Sequence, residues 1–170
     1  VVGILVVIVV AFTVYRRYIV APKQKEAQSQ MFVAERYFER DSFNLALYGD
    51  GNNLGFLDII DDYGITKTAN LAKYYAGVCF LHQGDYESAI EYLSKFKSKD
   101  QMLSVIARGA IGDAYMQTGD REKALNHYLE AGNASDNIFL APIYLMKAGE
   151  LLENMGEYKR ALTIYREIRE

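Results

Sequence analysis

The chain opens on an unbroken apolar stretch. Val1 to Tyr15 reads VVGILVVIVVAFTVY, carries no charge, and has Thr13 as its most polar side chain. Arg16 and Arg17 follow, and Tyr18, Ile19 and Val20 add further apolar surface before Pro22. A helix of this composition is apolar all round and has no face for water. The pattern therefore predicts a transmembrane anchor over residues 1–21, in contact with the lipid bilayer, rather than a buried helix of a soluble domain. A signal peptide fits less well, because the basic residues come after the apolar run and no small-x-small cleavage site ends it. Fifteen helical residues reach roughly 22 Å, short of the roughly 30 Å hydrocarbon core. The chain begins at Val1 without a methionine and stops at Glu170 inside a helical pattern. We therefore expect a piece of a longer protein with its anchor cut short. Upstream residues, or snorkelling by the two arginines, make up the difference.

Beyond the anchor the period changes. Met31, Ala34, Tyr37 and Phe38 recur at helical spacing, so residues 23–47 read as helix with a break near Asp41. Phe43, Leu45, Ala46 and Leu47 suggest a short second helix. The cluster Gly49-Asp50-Gly51-Asn52-Asn53 is dense in turn formers. It bears a faint likeness to a calcium loop, but Leu54 stands where a third oxygen ligand belongs and no glutamate closes twelve residues. We read it as a plain turn. Leu54, Leu57 and Ile60 or Ile59 then face inward from a short helix over 54–63. Residues 22–65 are thus expected to form a helical linker and a degenerate capping hairpin.

From residue 69 onward, inside an expected repeat domain of residues 66–170, the chain repeats itself. One copy holds Ala76-Gly77, Phe80, Gly84-Asp85, Ala89-Ile90 and Leu93. The next holds Ile111-Gly112, Tyr115, Gly119-Asp120, Ala124-Leu125 and Tyr128, and the third Ala148-Gly149, Leu152, Gly156-Glu157, Ala161-Leu162 and Tyr165. The internal spacing is the same in all three. Each copy reads as two helices. Gly77, Gly112 and Gly149 lie where the two cross, and Gly84, Gly119 and Gly156 end the first helix in a left-handed cap. Asp85, Asp120 and Glu157 place an acceptor and negative charge at the start of the second. The small Ala89, Ala124 and Ala161 allow close packing. Phe80, Tyr115, Leu93, Tyr128 and Tyr165 are expected to fill the seam between neighbouring hairpins. Helices are predicted over 67–83, 86–97, 101–118, 121–131, 138–155 and 158–169.

These residues resemble the tetratricopeptide-repeat family, with repeats at about 70–103, 105–140 and 142–170. The early tryptophan often found in that motif is replaced by Lys73, Arg108 and Leu145, and the closing proline is missing. The resemblance implies an all-α fold, a solenoid of helical hairpins carried behind an N-terminal transmembrane helix. The order of parts is also similar to the YfgM-type family of bacterial inner-membrane proteins. The matching stretches are the anchor, the run Tyr37 to Leu47 (Tyr-Phe-Glu-Arg-Asp-Ser-Phe-Asn-Leu-Ala-Leu), and Gly55-Phe-Leu-Asp-Ile-Ile-Asp-Asp-Tyr-Gly. That resemblance implies a single-pass protein with its repeats on the periplasmic side, and the Sec translocon and periplasmic chaperones as partners. Arg16, Arg17 and Lys23, taken alone, would place their side of the membrane in the cytoplasm, so topology stays open here.

Charge and composition narrow the function. A net charge of −3 with no clustered basic face argues against nucleic acid. Cys79 is the single cysteine, which excludes an internal disulfide and a cysteine-rich metal site. No Walker loop, nucleophile elbow, His-Glu-x-x-His or dinucleotide fingerprint occurs. His82 and His127 lie on different hairpins and read as structural or solvated. Cys79, one residue before Phe80, reads as a small buried hydrophobe. Asp58, Asp61 and Asp62 read as the solvated face of a short helix, and Asn133-Ala134-Ser135 as a chance sequon. We expect no enzyme, no cofactor, no metal and no small-molecule substrate.

What remains is binding of proteins or peptides. In such repeats the first helix of each hairpin lines a concave groove. The inner positions are Leu71, Tyr74, Val78, Leu81 and His82, then Ile106, Gly109, Asp113, Met116 and Gln117, then Ile143, Met146, Glu150, Glu153 and Asn154. The expected groove is drawn from Tyr74, Val78, His82, Asp113, Met116, Gln117, Met146, Glu150 and Asn154. Tyr74, Val78, Gly109 and Asp113 stand where a carboxylate clamp would need lysines and asparagines. A peptide with some apolar and some basic character fits better. The reading is a membrane-anchored scaffold near the export translocon. The alternatives are a scaffold of envelope assembly, which needs a lipidated cysteine that this N-terminal stretch lacks, and the accessory domain of a larger protein.

Overall fold

The computed structural model describes residues 2–134 and 139–169, except for the side chains of Val2 and Arg169. Ser135 of the sequon and the expected helix start at 138 lie outside the described residues. Every regular element among the described residues is helical. The chain divides into two compact units, one up to Cys79 and one from Phe80.

In the first unit α1 (Val2–Tyr15) passes without a break through a π-helical turn (Arg16–Val20) into α2 (Ala21–Phe38). The cause of the π turn is Pro22. It brings no N–H, and its ring would press on the carbonyl four residues back. The helix widens just before it, and the Ala21 N–H reaches back to the Arg16 carbonyl. Apolar side chains of α1 are exposed, among them Val7 at 67% and Phe12 at 59%. Among the described residues one helix, Gly3–Phe38, is long and apolar enough to cross a membrane.

The break expected near Asp41 is there, and Asp41 adopts a left-handed φ of 55°. Two short helices follow, α3 (Phe43–Tyr48) and α4 (Phe56–Asp62). Ala27, Met31 and Ala34 of α2 are buried with Leu47, Phe56 and Ile59. Phe56, not Leu57, turns inward with Ile59, while Leu54, Leu57 and Ile60 are half-buried. An aromatic cluster joins this layer to α5 (Lys67–Gln83): Tyr75 stacks on Phe56 at 5.2 Å and meets Phe38 edge-on at 5.0 Å. The turn before α4 is closed by Asp50. Its carboxylate accepts from the backbone N–H of Asn52 and Asn53 and from the Tyr37 hydroxyl at 2.7 Å. Those bonds hold the Asp50 carboxyl far below its ordinary value. Asp58 is half-buried rather than solvated, because its carboxylate accepts from the Gly55 N–H at 3.0 Å and so caps α4.

One contact was not legible from local pattern. The Gln24 side chain accepts from the Lys67 N–H at 2.8 Å and the Thr68 N–H at 3.3 Å, and donates to the Thr68 hydroxyl at 2.6 Å. These are orphan donors of the first turn of α5, so α2 caps a helix more than forty residues away. Gln24→Ala should therefore cost about 1 kcal/mol, as for a lost N-cap. Faster hydrogen exchange at the Lys67 and Thr68 amides would register it.

The second unit contains α6 (Tyr86–Lys95), α7 (Gln101–Thr118), α8 (Arg121–Asn133), α9 (Leu140–Asn154) and α10 (Tyr158–Arg169). The predicted helices are found within three residues at their described ends. The reason is that both helix stops and starts are written in the repeats. Gly84, Gly119 and Gly156 take φ of +79°, +84° and +78°. Each N–H bonds back to the carbonyl three residues before it, and the next N–H to the carbonyl five before it. Asp85, Asp120 and Asp100 then cap α6, α8 and α7 through the N–H groups of Ser88, Lys123 and Leu103.

Packing of the tyrosines differs from expectation. A β-carbon on Gly112 would meet the Tyr128 ring at 2.6 Å, and one on Gly149 would meet the Tyr165 ring. Both rings therefore lie over the glycine of their own hairpin, and Tyr128 in addition reaches the next hairpin, where Lys147 covers its ring and Tyr144 and Ala148 share its core cluster. Tyr115 likewise stacks on His127, 5.5 Å away, and Phe80 on Tyr92 at 5.3 Å. The join between successive hairpins is made by Tyr144 of α9, whose ring covers Gly109 of α7. Gly109 is buried there and lines no groove.

Candidate functional site

On α7 the residues Asp113, Met116 and Gln117 share one face at helical spacing, and on α9 so do Lys147, Glu150, Leu151 and Asn154. Together with Leu81, Tyr86 and Tyr128 they line an open groove of about 460 Å³. Five of the nine predicted groove residues are thus brought together: Asp113, Met116, Gln117, Glu150 and Asn154. His82 and Met146 are exposed, but neither lines this groove. Tyr74 and Val78 belong to the first unit and are half-buried there. Burial raises the Tyr74 phenol above its ordinary value.

Asp113 does not offer a free charge. Its carboxylate accepts from the Tyr128 hydroxyl at 2.6 Å and from the Lys147 ammonium at 2.6 Å. The Lys147 ammonium also sits 5.4 Å from the Tyr128 ring centre and 5.8 Å from that of Tyr144. Asp113, expected as a groove residue, thus presents a charge already held by this network. Asp113, Tyr128 and Lys147 come from three helices of two successive hairpins, so the network ties them together. Burial and the bond to Asp113 both push the Tyr128 phenol well above its ordinary value. Lys147 was missed because it lies one position before the small-residue pair Ala148-Gly149, off the expected inner face. Its one visible sign was to be the only cation of α9.

With Asp113 and Lys147 neutralising each other, Glu150 supplies the groove's net charge. It is exposed and makes no ion pair among the described residues. Met116 and Leu81 provide adaptable apolar contact, and the amides of Gln117 and Asn154 can both donate and accept. Elsewhere Cys79 is fully buried and burial pushes its thiol up to about 12, which leaves it unreactive at neutral pH.

The raised phenols give a pH dependence with a definite sign. Tyr74, Tyr75 and Tyr128 hold their protons more tightly folded than unfolded. Their contribution is complete below the ordinary tyrosine value of about 10 and is lost as pH rises above it. Absorbance at the tyrosinate band and helical circular dichroism should therefore change together above that pH. Smooth ionisation with helicity retained would contradict it.

A stack of helical hairpins with repeated glycine caps, small crossing residues and an open groove defines a repeat scaffold built to bind other chains. The chain matches tetratricopeptide-repeat models over residues 62–101, 107–135 and 144–170. It belongs to the tetratricopeptide-repeat family, whose repeats are non-catalytic modules for binding proteins and peptides. No curated protein matches the chain significantly.

Proposed function

We propose that the chain is a single-pass scaffold of the bacterial inner membrane that gathers protein partners beside the export machinery. Residues 1–21 are its anchor, 22–65 its linker and cap, and 66–170 its three repeats on the periplasmic side. The translocon and periplasmic chaperones are the partners this reading favours, and the chain itself catalyses nothing. One observation carries it. The helix Gly3–Phe38 is exposed along its apolar half, while Ala27, Met31 and Ala34 of its other half are buried in the folded unit. A soluble protein would leave that apolar half in water at great cost. Within the second unit the groove of Asp113, Met116, Gln117, Glu150 and Asn154 is the principal contact surface in this reading, with His82 and Met146 as further exposed contacts there, and Tyr74 and Val78 as contacts offered by the first unit. The free charge of Glu150 beside Met116 suits a peptide with basic and apolar residues.

Crosslinking in intact membranes, followed by purification of the full-length protein, tests the reading. Recovery of translocon or chaperone components supports it, and recovery of neither overturns it. Protease added to spheroplasts tests the topology independently, since repeats on the periplasmic side are cut and cytoplasmic ones are protected.

A further inference from the structure

A second hollow, of about 330 Å³, lies away from the groove and is walled by α6, α7, α8 and the loop after α6. Its floor is apolar, with Leu93, Phe96 and Ile111, while Lys97, Arg108, His127 and Glu130 stand around it. The loop also carries Lys99. Nearby charges of either sign are already engaged: Lys95 pairs with Glu91 at 2.6 Å, and Asp100 caps α7 through the Leu103 N–H. The half-buried Arg108 makes no hydrogen bond or ion pair among the described residues. Glu130 is the one carboxylate among the described residues that line the hollow, and it is exposed.

His127 adds a directional donor. Its ring stacks on Tyr115, and Lys123 covers the same tyrosine at 5.1 Å. Its Nδ1 is buried and has no hydrogen-bond partner among the described residues. A bare lone pair at that atom costs less than an orphaned N–H, so the neutral ring carries its proton on Nε2. Burial holds the His127 pKa below its ordinary value, with Glu130 opposing and Arg108 assisting.

We propose that this hollow is a second docking site, taking a carboxylate side chain from an acidic segment of a partner protein, with Arg108 as its principal ligand. The apolar floor receives the aliphatic stem of a glutamate, and the His127 Nε2–H completes the donor set. The inference is independent of what occupies the groove.

The chain of residues 1–170 has two histidines, so this chain, ring-labelled in detergent, gives two separable sets of signals. The probe is an acetylated tetraglutamate peptide, with tetraglutamine and inorganic phosphate as comparisons. Tetraglutamate should shift the His127 signals and raise its pKa, because a bound carboxylate favours the imidazolium. His82 should stay still. Arg108→Gln should weaken binding about tenfold or more. Glu130→Gln, an exposed change that leaves folding alone, should strengthen it. Unmoved His127 signals, an equal response to tetraglutamine, or a response to phosphate alone would each overturn the proposal, as would unaltered affinity in both variants.

Discussion

Gly112→Leu should lower stability by about 3 kcal/mol or more. A β-carbon at that position already meets two atoms of the Tyr128 ring at 2.6 and 2.7 Å, and the Ala124 carbonyl lies 3.4 Å away. The ring cannot swing aside cheaply, since its hydroxyl is bonded to Asp113 and its face is covered by Lys147. Overpacking a tight site costs roughly 1–3 kcal/mol in ordinary cores, and here the displaced ring also surrenders a half-buried hydrogen bond. Gly119→Ala is the instructive comparison. Its β-carbon meets nothing within 4 Å, and only its φ of +84° is costly. That strain is worth about 1–2 kcal/mol. Denaturant unfolding of the two variants in detergent should therefore separate close packing from backbone conformation. Equal midpoints would mean that Tyr128 does not rest on Gly112.

The difference between those two glycines marks what was readable in the chain. Cap glycines and the aspartates that follow them act within a few residues, so the stops and starts at 84–86 and 119–121 could be placed from sequence. The apolar run up to Tyr15 was equally plain, because no solvent-facing residue interrupts it. Long-range partners were not readable. Gln24 reaches α5 and Lys147 reaches Asp113 through geometry that no short period encodes. Tyr128 and Tyr165 were recognised as core residues, but the same spacing is satisfied by a seam between hairpins and by a lid over the hairpin's own glycine. Gly109 looked like an inner position because α7 exposes that face elsewhere. Tyr144, from the next hairpin, is what covers it. Within the groove, five expected residues share one surface, but that Asp113 is a paired charge is a correction the sequence could not supply, since both its partners lie outside its own helix.

That correction separates two residues that pattern alone treats as equivalent. Asp113→Lys should unfold the second unit more easily, by about 2–3 kcal/mol. It strands the Tyr128 hydroxyl without an acceptor, worth about 1–3 kcal/mol, and sets a second ammonium against Lys147. The lost ion pair itself adds little, because both partners are more than a third exposed. Glu150→Lys should stay within about 0.5 kcal/mol of the parent protein, as expected for an exposed side chain without partners. It should instead act on function. Reversing the only uncompensated charge in the groove should reduce recovery of the partner crosslinked in membranes. What recovery remains should vary less between low and high salt, because screened attraction has been removed. Circular dichroism during unfolding reads the first effect, and crosslinked yield at two salt concentrations reads the second. A Glu150→Lys protein that folds normally and captures its partner undiminished would remove the groove from the binding surface.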